Sequence, residues 1–242
     1  MDLSRRVASL AGIALILAAI LTVLNVGLTG AAMSDGDPFE REEVEEFLTD
    51  VNDNEGLLIA AAAVGIANDG VFVIIIAAAF YILFRDRNPF LATIALAGIA
   101  VSAALALVLD ISNILLTIIA DDYVNGGAGG VPAGDPATLE LGRYVGVITY
   151  ALLNTLFTPA GTGFIALGLL LLGPQGLVNP PRWIGWVAII AGASAWLAWL
   201  VLVADPFFVF FPIQLISTLV LLLSLGVWLL RHSDLQPAPM KA

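Results

Sequence analysis

The chain of 242 residues is 60% hydrophobic and only 12% charged, with a mean hydropathy of +1.00, far above that of a water-soluble domain. Nine Lys and Arg against twenty Asp and Glu leave a net charge of −11, which repels polyanions and excludes nucleic acid as a partner. Cysteine is absent and histidine occurs once, as His232, so disulfides, thiolate nucleophiles and multi-histidine haem or zinc centres are excluded, and no cofactor or metal is expected.

A hydrocarbon core of roughly 30 Å needs about 20 apolar residues in a helix. Six segments meet that length: Val7 to Leu28, Leu57 to Phe84, Phe90 to Ala120, Leu141 to Leu172, Trp183 to Val203 and Phe207 to Leu230. Turn-forming residues separate them, including Arg85 to Pro89, the glycine cluster from Gly126 to Gly134, Asn179 to Arg182, and Asp205-Pro206. The second, third and fourth segments exceed the minimum, so they must tilt, kink or project. The first segment is too long for a signal-peptide core and is expected to stay as a signal anchor.

Six spans put both termini on one side. Arg5, Arg6, Arg85, Arg87, Arg182, Arg231 and Lys241 fall on that side and only Arg41 and Arg143 on the other, which predicts cytoplasmic termini in a plasma membrane. With the acids included, the inner face carries a net plus four and the outer face minus thirteen. All five tryptophans sit near span ends, Trp183, Trp186 and Trp228 on the inner side and Trp196 and Trp199 towards the outer, as an aromatic belt requires.

In the external loop over residues 29–56, Asp37-Pro38-Phe39-Glu40 has an N-cap acid, a proline at the first helical position and a glutamate three residues on, so a helix is expected to start there. Val44, Phe47, Leu48 and Val51 recur at helical spacing, with Glu40, Glu42, Glu43, Glu45 and Glu46 around the rest. That amphipathic helix is expected either to tuck its apolar edge onto the bundle or to dock a partner. Asp50 to Gly56 looks briefly like a calcium loop, but its glycine is one place late and Ala61 stands where a bidentate glutamate is needed. The acid excess suits a salt-rich, halophilic setting, where a negative surface stays hydrated and screened.

Asp69 and Asp110 are the only ionisable residues deep inside the spans, where a charged aspartate costs roughly 2.5–3.5 kcal/mol and is a functional candidate. Ala62, Gly65 and Ile66 precede Asp69 at helical spacing; Ala103, Ala106 and Leu107 precede Asp110, and Asn113 and Thr117 continue its face. Small residues line close helix contacts in membranes, so both carboxyls are expected to face the bundle interior. Asp69 is 12 residues and Asp110 is 10 residues from the outer ends of their spans, a depth at which they could meet. Asn68, Asn154, Thr158 and Gln214 could reach the same layer, and Thr158 to Gly163 should break the fourth helix around Pro159.

Protonating an ordinary carboxyl at neutral pH costs roughly 4 kcal/mol, close to the penalty for keeping it charged, so neither form wins by default. Two such groups in one pocket would share a proton or hold a cation. The alternative is that the aspartates glue helices together. Enzymatic readings are weaker. The Gly-x-Gly-Asp of an intramembrane aspartyl protease is absent, since Asp110 follows Leu107-Val108-Leu109. A retinal protein needs a lysine in a span, and the sole lysine is Lys241. An inverted-repeat transporter should show matching interruptions in its two halves, and the fifth and sixth spans contain no partner for either aspartate.

Arg6 followed by Ala11-Gly12, the Asn68-Asp69 pair, the short Arg85 to Pro89 turn and Pro181-Arg182-Trp183-Ile184-Gly185-Trp186 together resemble a bacterial and archaeal family of six-helix integral membrane proteins of unknown function. The resemblance implies a fold and no activity. The sequence therefore predicts an all-α, polytopic membrane protein, a single domain over residues 1–242 with six transmembrane helices, a short amphipathic external helix and a disordered tail over 232–242. It is expected to be no enzyme, to have the lipid bilayer as its surroundings, and to bind or translocate a proton, cation or small solute at the aspartates. The rival is a structural or partner-docking subunit.

Overall fold

The computed structural model describes residues 3–33, 37–128, 130–174, 178–198, 200 and 209–232. In chain order the helices are α1 (Leu3–Ala32), α2 (Val44–Asp53), α3 (Glu55–Ala67), a π-helical turn (Asn68–Val73), α4 (Ile74–Phe84), α5 (Pro89–Asn125), α6 (Pro136–Thr155), α7 (Phe157–Leu172), α8 (Arg182–Ala198) and α9 (Phe210–Arg231). Five apolar stretches are long enough to cross a bilayer: Arg6–Ala32, Glu55–Phe84, Pro89–Asn125, Pro136–Leu172 and Phe210–Arg231. A sixth apolar helix, α8, has 17 described residues, or about 26 Å, at the lower limit for a span. The Asp205-Pro206 turn, Trp199, the end of the fifth span, the start of the sixth and the tail from 233 lie outside the described residues.

The spans are built inside out compared with a soluble helix. On α1, Ala8, Ala11, Ala14, Leu15 and Ala18 are buried, whereas Leu10, Ile13, Leu17, Ile20 and Leu24 are exposed. On α5, Ala103, Ala106, Asp110, Asn113 and Thr117 are buried while Val108, Ile111, Leu115 and Ile118 face outwards. Water would penalise each exposed leucine or isoleucine by about 1.5–3 kcal/mol relative to burial. A bilayer removes that penalty and rewards small residues at helix contacts instead. The protein is membrane-embedded.

Caps set the ends of these helices. Asn88 Oδ1 accepts hydrogen bonds from the amides of Phe90 and Leu91 at 3.1 and 3.2 Å, with Pro89 at the first helical position. Asp135 Oδ2 likewise takes the Thr138 amide at 2.9 Å ahead of Pro136. Gly126 at the end of α5 has φ +87°, a left-handed value that a β-carbon would oppose, and the reversed chain is closed by Gly127 donating to Val131 O at 3.0 Å.

Contacts divide the chain into two compact units: one of Met1–Ile20, Asn68–Ala104 and Asn154–Ala242, the other of Leu21–Ala67 and Leu105–Leu153. In the first, glycines bring helices together. A β-carbon at Gly161 would lie 2.6 Å from Gly192 O and one at Gly168 would lie 2.7 Å from Gly185 O, so α7 and α8 touch backbone to backbone two turns apart. Gly98 of α5 meets Pro159 O of α7, and Gly12 of α1 meets Gly226 O of α9, in the same way. Arg87, in the turn after α4, donates to Leu170 O at 2.7 Å, to Asn179 Oδ1 at 2.9 Å and to Val178 O, capping the carbonyl end of α7. Burial pulls the pKa of this guanidinium below its usual value, by desolvation.

In the second unit, α2 lays Val44, Phe47, Leu48 and Val51 into a cluster with Leu58, Leu116, Ala120 and Tyr123. Gly142 and Gly146 of α6 leave the room that Leu48 and Phe47 occupy. The apolar edge of α2 is therefore covered by the chain itself. The expected helix start at Asp37 is corrected: residues 37–43 form turns and α2 begins at Val44. Asp37 Oδ1 accepts the Phe39 amide at 2.8 Å, an Asx turn that competes with helix initiation. Phe39 then stacks edge-on against Tyr150 at 5.8 Å. Both expected outer cations converge on one acid, with Arg41 at 2.6 Å and Arg143 at 3.6 Å from Glu140.

Candidate functional site

Asp69 belongs to the first unit and Asp110 to the second, and each is described in its own surroundings. Asp110 is only 3% exposed. Its carboxyl lies so close to Gly65 of α3 that a β-carbon there would collide with both carboxylate oxygens. Ala62 and Gly65 sit on the buried side of α3, which is why a carboxyl can approach its backbone. Asn113 and Thr117 follow Asp110 along the same face of α5 and are 3% and 2% exposed. Thr117 Oγ1 donates to its own helix at Ile114 O, 2.9 Å away. Asn113 Oδ1 is buried and accepts no hydrogen bond among the described residues. A carboxyl one turn from a vacant amide acceptor is a pair of oxygens that calls for a proton donor or a cation.

Polar side chains that sequence reasoning passed over complete this unit. Asn25 of α1 donates to Ala61 O at 2.9 Å, the carbonyl one helical turn before Gly65. It was recognisable as an amide inside an apolar span. Ser112 and Thr149 join α5 to α6 at 2.9 Å. Neither belongs to a motif, and only the packing of α5 against α6 reveals them.

Asp69 occupies a different setting. The buried line of α3 runs through Leu58, Ala61, Ala62 and Gly65 and continues at Asn68, which is 7% exposed. At that point the helix changes from α to π over Asn68–Val73; Asn68 is buried and Asp69 beside it is partly buried. Asn68 Nδ2 donates to Asp69 Oδ1 at 3.3 Å. One-turn π segments widen a helix locally and recur at functional sites.

The other expected members lie in the first unit. Gln214 is buried on α9 and donates to Thr218 Oγ1 at 3.3 Å on its own helix. Asn154 is buried near the end of α6, and Thr158 is partly buried at the start of α7, its carbonyl accepting from Thr162 Oγ1 at 3.0 Å. The fourth span is interrupted at Leu156, as the proline at 159 predicts, and the Leu156 carbonyl takes a hydrogen bond from Ser102 Oγ of α5 at 3.1 Å. Thus Asp110 and Asn113 share a face, Asn68 and Asp69 share a turn, and the described side-chain bonds of Gln214 stay on α9.

The family model described as Domain of unknown function (DUF4386) matches residues 10–232. No curated protein and no solved structure matches the chain.

Proposed function

We propose, for a chain that belongs to the DUF4386 family, a domain whose function is unknown, that it is a non-enzymatic membrane protein which binds a proton or a small cation at Asp110. The observation that supports this reading is the pairing, on one buried face of α5, of the Asp110 carboxyl with the unfilled acceptor Asn113 Oδ1. Side chains at i and i+3 on a helix have β-carbons about 5–6 Å apart, so one proton or one bare cation can engage both oxygens. The basic residues of the sequence cluster at span ends and turns, away from the middle of α5. Asp69, with Asn68 in the π-helical turn, is a second acid in the other unit.

Both termini are placed on the cytoplasmic side of a plasma membrane, from the distribution of Lys and Arg. The rival reading, a structural or partner-docking subunit, would have to use the glutamate face of α2, since the apolar edge of that helix is buried.

A ligand that binds only the folded state stabilises it by mass action. The purified protein is heated in detergent across a series of sodium, lithium and potassium concentrations at constant ionic strength, and across pH. The wild type should gain thermal stability with one cation or with protons, and Asp110→Asn, which keeps the shape, should lose that dependence. Identical dependence in the folded Asp110→Asn variant would remove Asp110 from the binding site.

A further inference from the structure

The seam between α8 and α9 carries a groove that neither aspartate explains. It is about 400 Å³ in volume and is lined by buried Ile184, by the exposed Leu223 and Val227, and by Trp183, Trp228 and Arg231. His232 closes the same end, its ring stacked on Trp228 at 4.6 Å with 12° between planes and its Nδ1 3.0 Å from Trp228 O. A second depression of about 310 Å³ lies along the same seam, lined by Val187, Ile190, Ile213, Ile216, Ser217 and Val220. Leu223 and Val220 are one helical turn apart on α9, as are Ile184 and Val187 on α8, so the apolar lining continues from the first depression into the second. From Trp228 to Ile213 the lining descends fifteen residues, about 22 Å, within the ~30 Å thickness of a hydrocarbon core.

We propose that this seam is a binding site for an anionic phospholipid, with an acyl chain along the apolar groove and the phosphate at Arg231. Three features select that occupant. The groove faces outwards from a membrane-spanning pair of helices, where lipid is the neighbouring medium. Tryptophans stand on both sides, Trp183 at 51% exposure and Trp228 partly buried, near helix ends, and amphipathic rings of this kind concentrate at headgroup level. The polar end holds the exposed cation Arg231, whose guanidinium complements a negative headgroup and gives a neutral one no such partner.

The test is quenching of tryptophan fluorescence in reconstituted vesicles. Brominated phosphatidylglycerol is diluted into phosphatidylcholine vesicles and compared with brominated phosphatidylcholine at the same fraction. One basic residue near a membrane surface contributes roughly a five-fold preference for an anionic lipid. The brominated anionic lipid should therefore half-quench at a several-fold lower fraction, and Arg231→Gln, a change at an exposed helix end, should reduce that preference about five-fold. Filling the groove by Val227→Phe, which adds no indole to the fluorescence, should weaken quenching by the anionic lipid further. Inorganic phosphate at millimolar concentration should not compete, since it lacks the chain that the groove holds. Equal quenching by both headgroups, an unchanged preference in Arg231→Gln, or full competition by free phosphate would overturn the proposal.

Discussion

The close approach of the Asp110 carboxyl to the backbone of Gly65, in the second unit, yields a prediction with an internal sign change. A methyl at position 65 would overlap Asp110 Oδ1, Oδ2 and Cγ. Ordinary contact between non-bonded heavy atoms is about 3.5–4 Å, so the carboxyl would have to retreat by more than about 1 Å. Aspartate has two side-chain torsions, and such a retreat means leaving its rotamer and its seat. Overpacking of this kind costs about 1–3 kcal/mol. Against it stands the gain from replacing a helical glycine by alanine, about 1 kcal/mol. Gly65→Ala should therefore be neutral to destabilising by about 2 kcal/mol in the native background. In an Asp110→Ala background the carboxyl is gone, the clash disappears, and the same substitution should stabilise by about 1 kcal/mol. The assay is equilibrium unfolding of the four proteins in mixed micelles, read by tryptophan fluorescence. Because helix propensity cancels in the cycle, the difference isolates the contact. Equal effects of Gly65→Ala in both backgrounds would refute the placement of Asp110.

Further outcomes follow from the other contacts. Gly192→Leu should lower thermal stability by 2 kcal/mol or more, roughly, by prising α8 from α7, whereas Gly27→Ala, where a β-carbon meets nothing within 4 Å, should be neutral or stabilising; similar losses from both would contradict the glycine packing. Arg87→Ala should cost about 2–4 kcal/mol by stripping the Leu170, Val178 and Asn179 oxygens of their donor, and Arg87→Lys should restore little of it because an ammonium cannot reach three acceptors at once; full rescue by lysine would remove the geometric argument. Arg41→Gln should change stability by less than about 1 kcal/mol, and by less still in molar salt, as the exposed pair with Glu140 is screened; a large, salt-independent loss would show the pair to be shielded from solvent.

The sequence carried the membrane character of the chain because length and apolarity are what a bilayer selects, and the long helices coincide with the apolar runs. The buried edge of α2 was equally legible, since Val44, Phe47, Leu48 and Val51 repeat at the helical period whatever they pack against. Its start was not. Asp37-Pro38 satisfies the rules for a helix cap and those for an Asx turn alike, and Phe39 seated on Tyr150 belongs with the turn. The burial of Asp110 followed from the alanines one and two turns before it, but the role of Gly65 did not, because a small residue records that something approaches without naming what. The π-helical turn at Asn68–Val73 was not legible: a change of hydrogen-bond partner from i+4 to i+5 shifts later side chains around the axis, and no residue type marks it uniquely. Asn25, Ser112 and Thr149 are single polar residues whose partners only the packing of helices supplies.

The most direct test of the proposal is infrared difference spectroscopy of the protein in lipid, with wild type and Asp110→Asn compared while pH and sodium concentration are varied in turn. A carboxyl that holds a proton or a cation beside Asn113 Oδ1 should give, in the wild type, a carboxylic or carboxylate band that moves with one of those variables and vanishes in Asp110→Asn. A wild-type spectrum in which every such band survives the substitution would mean that Asp110 binds neither.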